Sequence, residues 1–161
     1  MAAGDVLWNF GSWNAVTISD LNSLADGEAA VSAQIDLGAA PRADILECRL
    51  VVNYDGSNTP TDDAGIEVYF SRYVNSKYAG GVTAGSQDSG DALEMLQKFA
   101  TQVDVRAAVG HNVSEEYVFD FDIHGPGDDL VIIVVNQSGA TFNSTGNDLR
   151  YRTKYANVAQ S

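Results

Sequence analysis

Short runs in which apolar and polar residues alternate, each closed by a cluster of Gly, Asn, Asp or Pro, recur from one end of this 161-residue chain to the other. Alternation puts the apolar side chains on one face of an extended strand and the polar ones on the other. It does not fit a helix, whose faces repeat about every 3.6 residues. The runs are NAVTIS (14–19), EAAVSAQIDL (28–37), DILECRLVVNY (44–54), AGIEVYFSRYV (64–74), TQVDVRAAV (101–109), EYVFDFDI (116–123), LVIIVVN (130–136) and DLRYRTKY (148–155). About eight strands, joined by turn-forming pairs such as Asp26-Gly27, Asp55-Gly56 and Gly80-Gly81, predict an all-β chain folded as an antiparallel β-sandwich of jelly-roll type.

Individual runs add detail. LVIIVVN is apolar throughout, which predicts a central strand covered on both faces. EYVFDFDI divides into Phe119, Phe121 and Ile123 on one face and Val118, Asp120 and Asp122 on the other, so only one side faces the core. Cys48 shares its side with Leu46, Leu50, Val52 and Tyr54 and reads as a small core residue; a single cysteine also excludes an internal disulfide. SGDALEMLQKFA departs from the pattern: Asp91 three residues before Glu94 and the helical spacing of Leu93, Leu96 and Ala100 fit a short helix near 91–100 as well as a strand. The expected organisation is an N-terminal arm over 1–13, a single β-sandwich domain over 14–158 and a tail over 159–161.

Charge narrows the functional classes. With 22 acidic against 9 basic residues the chain carries a net charge of −13, which repels nucleic-acid phosphates and anionic membranes alike. The N-terminus, MAAGDVLWNFGSW, lacks a basic leader followed by an apolar run, so synthesis in a cytoplasm is expected. Catalytic motifs are missing: there is no G-x-S-x-G elbow, no phosphate-binding Walker loop and no H-E-x-x-H, and only His111 and His124 supply imidazole. The best metal candidate, Asp120, Asp122 and His124, would put two carboxylates and an imidazole on one strand face, fewer oxygens than a hard cation usually takes. The acid pairs Asp62-Asp63, Glu115-Glu116 and Asp128-Asp129 lie in turn-like sequence and read as solvated residues. No catalytic residue, metal or cofactor is expected. The triplets beginning at Asn112, Asn136 and Asn143 match the glycosylation pattern but read as turn chemistry.

Two features remain, and both suggest an interface. Trp8, Phe10 and Trp13 crowd the N-terminal segment, where large aromatics serve as anchors in a partner's pocket or cap the chain's own sandwich. In DLRYRTKY, Arg150, Arg152 and Lys154 fall on one face opposite Leu149, Tyr151, Thr153 and Tyr155. Such a cationic row either protects a sheet edge from aggregation or meets carboxylates of a neighbour.

Ser23-Leu24-Ala25-Asp26-Gly27, Val68-Tyr69, Val135-Asn136-Gln137-Ser138-Gly139, Ser144-Thr145-Gly146-Asn147 and Arg150-Tyr151 occur in that order. In order and spacing they resemble small structural proteins of tailed-bacteriophage virions, of the head-decoration or capsid-cement type. The resemblance covers most of residues 21–158; the Trp-bearing segment lies outside it. It implies a non-enzymatic virion component on the outer capsid surface, with the major capsid protein and further copies of itself, as a trimer, for partners. A tail or neck component and a carbohydrate-binding sandwich module are the alternatives.

Overall fold

In a computed structural model of the chain, the described residues are 6–37, 45–56, 59–60, 65–74, 77–78, 85, 87–89, 102–104, 114–123 and 129–158. They form β1 (Val6–Phe10), β2 (Asn14–Ala15), β3 (Glu28–Val31), β4 (Ile45–Asn53), β5 (Gly65–Val74), β6 (Lys77–Tyr78), β7 (Gln87–Ser89), β8 (Gln102–Asp104), β9 (Ser114–Asp122), β10 (Leu130–Gln137) and β11 (Asp148–Val158). One 3-10 turn, Ser19–Leu21, follows β2. The expected helix near 91–100 and the tail 159–161 lie outside the described residues.

The strands make two antiparallel sheets. The first runs β1-β11-β4-β9, with β2 beside β1 on the same edge of β11; the second runs β6-β5-β10-β3-β7, with β8 also on β5. Counting β1 with β2, and β6 with β8, as single positions turns these orders into 1-8-3-6 and 2-7-4-5, with β7 added beyond β3. That is the strand order of a jelly roll. The sheets meet face to face. Leu46, Cys48, Leu50, Val52, Phe119, Phe121 and Leu149 from the first pack against Ile66, Val68, Phe70, Leu130, Ile132 and Val134 from the second. Phe70 and Phe121 meet edge-to-face across the layer, 5.0 Å between ring centres.

β10 explains its unbroken apolar sequence. Leu130, Ile132 and Val134 enter the inter-sheet core, while Val131, Ile133 and Val135 form a second buried cluster with Ala29, Val31 and Tyr69 on the opposite face. Cys48 is fully buried as expected, and burial pushes its thiol pKa up, with the charges of Asp120 and then Glu47 adding to the shift.

Several boundaries differ from the sequence expectation. The strand expected over 28–37 stops at Val31. The Ser32 N–H still reaches the Ile132 carbonyl (2.9 Å) and its hydroxyl accepts the Ile132 N–H (2.9 Å), but Ala33 turns its N–H to the Thr17 carbonyl (2.7 Å) across to the other edge segment. The strand expected over 14–19 is only Asn14–Ala15, since the chain turns at Ser19. Of 101–109, only 102–104 is described, as β8. The largest difference concerns the arm expected over 1–13. Its residues Val6–Phe10 pair with Phe10↔Lys154 through Val6↔Val158, so they complete the first sheet as its edge strand.

At one end of the sandwich a polar knot fixes where β11 starts. Asn136 is buried at the end of β10, and its amide donates to the carbonyls of Leu24 (3.0 Å) and Ala140 (2.8 Å). Its side-chain oxygen accepts from the Ser138 N–H (3.1 Å) and hydroxyl (2.6 Å), leaving none of its polar capacity idle. The Gly27 N–H reaches the Asn136 carbonyl (2.7 Å), and Asp26 accepts the Gly139 N–H (2.8 Å). Asn147 accepts the Asn53 N–H (2.8 Å) and donates to Asn22 (2.9 Å) and to the Asn143 carbonyl (2.7 Å). Gly146 suits this loop because its φ is +86°, a conformation side-chain-bearing residues rarely adopt, and it lets the Asn53 side-chain nitrogen approach its backbone closely. The Ser23–Gly27 turn, the Asn136–Gly139 turn and the Ser144–Asn147 loop, separate in sequence, are thus one hydrogen-bonded unit.

Candidate functional site

The outer face of the first sheet collects every residue singled out as an interface candidate. Registry determines the layout, because directly paired residues share a face. Phe10 pairs with Lys154, Lys154 with Ile45, and Ile45 with Asp122. One row along, Arg152 pairs with Glu47 and Glu47 with Asp120. In the next, Ala15 pairs with Arg150, Arg150 with Arg49, and Arg49 with Val118. A fourth row brings Asp148 to Val51 and Val51 to Glu116.

Trp13 joins this face only because the edge is out of step. Trp8 and Phe10 are an even number of residues apart, whereas Trp13 would fall on the inner side of an unbroken strand. Along β1 the residue numbers of each pair sum to 164 (Phe10↔Lys154); along β2 they sum to 165 (Asn14↔Tyr151). One extra residue therefore lies between the strands, placing Ser12 and Trp13 together opposite Arg152: a β-bulge that re-aims the indole outward. Asn14 donates to the Ser12 carbonyl (3.0 Å) within the bulge. Gly11 enters it with its N–H on the Thr153 carbonyl (2.8 Å), so closely that a Cβ would lie 2.7 Å from the Thr153 hydroxyl.

The aromatic rings rest on cations. The Arg152 guanidinium sits 4.3 Å from the Phe10 ring centre and 4.6 Å from that of Trp13, and Lys154 Nζ lies 5.0 Å from the Trp8 ring. These are cation–π distances, and they hold the rings in place. Trp8 and Phe10 remain 46% and 47% exposed, large apolar surfaces left facing water.

Each cation also has a carboxylate of its own. Arg152 Nε donates to Glu47, a pair whose side chains are only 26% and 10% exposed. Lys154 meets Asp120 at 2.9 Å, Arg49 meets Glu116 at 2.8 Å, and Arg150 meets Asp148 at 2.6 Å. Within the row expected to meet an acidic neighbour, Arg152 and Lys154 thus hold carboxylates of this same sheet, Glu47 and Asp120, while Arg150 holds Asp148 at the surface. Sequence reading missed Glu47, Arg49 and the bulge. Alternation of Glu47 and Arg49 against Leu46, Cys48 and Leu50 carried the first two, and Gly11 before Trp13 marked the third.

The other candidates separate. Asp120 and Asp122 lie on this outer face with Asp120 engaged by Lys154; His124 is outside the described residues. Among the described residues no three His, Cys, Asp or Glu side chains converge as metal ligands. Glu115 and Glu116 point to opposite faces of β9, paired with Val52 and Val51. Asp129 accepts from Gln34 at 2.5 Å, whereas Asp62, Asp63 and Asp128 are outside the described residues. Asn136, one of the triplet asparagines, is buried and fully hydrogen-bonded. No described helix is long and apolar enough to cross a membrane.

No protein-family model and no curated protein matches the sequence. Among solved structures, the chain is similar to the CBM22-1 xylan-binding domain of Paenibacillus barcinonensis Xyn10C. The match has 11% identity and a TM-score of 0.33, covering 100% of this chain and 99% of that one. A likeness at that level carries no inference about what this chain binds.

Proposed function

We propose that this chain is a structural protein of a tailed-bacteriophage virion, a capsid-decoration protein that attaches to the outside of the head through the outer face of its first sheet. The observation that carries the reading is the aromatic set: Trp8, Phe10 and Trp13 brought onto one face and propped on Arg152 and Lys154, with Trp8 and Phe10 about half-exposed. Rigid, exposed aromatics backed by cations are the composition of interface hot spots. The resemblance of the motifs at 21–158 supplies the virion context, and three of the five, at Ser23–Gly27, Val135–Gly139 and Ser144–Asn147, meet in the knot at one end of the sandwich. On this reading the chain performs no catalysis. It works as a trimer, and repetition over a lattice turns modest single-site affinity into firm attachment.

The test is attachment to purified heads lacking the protein. Trp8→Ala with Phe10→Ala is expected to lower attachment about a hundredfold, on the order of 1–2 kcal/mol per anchor, with the fold unchanged. Equal retention of wild type and variant on heads, or absence of the protein from purified virions, sinks the proposal. Copy number by quantitative mass spectrometry separates a decorator, with hundreds per particle, from a tail or neck part.

A second reading has its own observation. Trp8 and Phe10 stand in a row on a sheet face, which suits stacking on sugar rings, so the chain is alternatively a carbohydrate-binding module. Binding on a glycan array that disappears with Trp8→Ala would favour it.

A further inference from the structure

Of the four described rows across the first sheet, two set like charges directly opposite each other, and in one of them, where Glu47 faces Asp120, each carboxylate has its own cation in Arg152 and Lys154. The other, the Ala15, Arg150, Arg49, Val118 row, sets two guanidiniums directly opposite each other. Like charges so placed repel. The row's ends bring no countercharge, because Ala15 is small and exposed and Val118 is an exposed apolar residue (58%). The carboxylates that serve these arginines come from the neighbouring row and sit at the surface: Asp148 on Arg150, with side chains 39% and 45% exposed, and Glu116 on Arg49, 51% and 36%. Surface pairs of this kind contribute little. Arg49 also keeps a buried Nε–H with no acceptor. Arg152 and Lys154, by contrast, are committed to Glu47 and Asp120 and covered by the aromatic rings.

We infer that Arg49 and Arg150 together form an oxyanion-receiving site, which takes a single carboxylate of a partner protein's Asp or Glu side chain next to the aromatic anchors. A carboxylate between two planar guanidiniums accepts from both and relieves their repulsion. The chain's net charge of −13 selects against a polyanion, which would meet that field at every repeat, and less against one acidic side chain on an otherwise neutral or basic surface. This deepens the docking reading by locating the charged contact, and the head-attachment arm of its test rests on that reading.

The site is tested first without any virion, by titrating the wild-type protein with the peptide acetyl-Gly-Glu-Gly-amide and following the arginine Nε–H resonances. Saturable shifts at Arg49 and Arg150, larger than at Arg152, are expected. Arg150→Gln should abolish the shift at Arg49. Asp148→Asn or Glu116→Gln, which remove the competing internal carboxylate, should tighten binding about three- to tenfold, a gain that a merely structural pair would not give. Uniform shifts across all arginines, or no gain on Asp148→Asn, would overturn the site. Tighter binding per carboxylate to polygalacturonate than to the peptide would overturn the choice of a protein carboxylate. On heads, Arg49→Gln and Arg150→Gln should each weaken attachment about tenfold and Asp148→Asn should strengthen it; unchanged attachment with Arg150→Gln overturns the assignment of the site to docking. If wild-type protein fails to attach to heads, the docking reading falls and the peptide titration alone decides the site.

Discussion

β10 and β11 are neighbours in sequence and occupy equivalent inner positions in the two sheets, yet they use their second faces in opposite ways. β10 buries both: one side fills the layer between the sheets and the other joins Tyr69, Ala29 and Val31 in a separate apolar cluster. Among the described side chains of β11 only Leu149 is completely buried, and Arg150, Arg152 and Lys154 turn outward onto carboxylates and aromatic rings. The same backbone geometry thus carries a buried apolar outer face in one strand and a charged, ring-covered one in the other. What separates them is whether the second face is apolar, which holds the strand in the interior, or charged, which needs water or a partner.

Substitutions in the two strands should therefore separate stability from attachment. The largest expected effect is at Ile132, fully buried in the inter-sheet layer: Ile132→Ala should cost about 3–4 kcal/mol in denaturant unfolding, with attachment of the folded fraction unchanged. Asn136→Ala follows at about 2–3 kcal/mol, since it removes four buried hydrogen bonds, two to the Leu24 and Ala140 carbonyls and two from the Ser138 N–H and hydroxyl. If Asn136→Ala were silent, the knot would not be what fixes the start of β11. Glu47→Gln tests the opposite side of the comparison, where a charge is held against Arg152 on the outer face. It should cost about 1–2 kcal/mol, because the Glu47–Arg152 pair is largely shielded from water, and it should alter tryptophan fluorescence as the guanidinium shifts against Trp13. Gly11→Ala should cost about 1 kcal/mol through its clash with the Thr153 hydroxyl and be relieved by Thr153→Ala. A full-sized effect in the double variant would place the strain elsewhere in the bulge.

Much of the fold was legible in the sequence because alternation is a local property. The Leu46, Cys48, Leu50, Val52 set and the Phe119, Phe121, Ile123 set face the core as their spacing implied, and the unbroken apolar run of β10 marked it as central. What the sequence concealed was registry. Nothing within VLWNF says that it pairs with the end of β11, so an edge strand looked like an arm. Nothing within DLRYRTKY says that Glu47 and Asp120 lie across from it, so internally satisfied cations looked free. The six interface candidates proved to share a face, but the carboxylates beneath them come from β4 and β9, placed there only by folding.

The bulge at Ser12 and Trp13 cancels an odd count between ring-bearing positions. Trp13 lies three residues after Phe10, a spacing that turns the second ring inward in a regular strand, and the extra residue undoes that reversal. Loss of Ser12 would therefore leave the indole on the same side, directly across from Arg152, whereas straightening the strand at its present length would turn it inward. The edge can shed one codon's worth of length here and keep all three rings together.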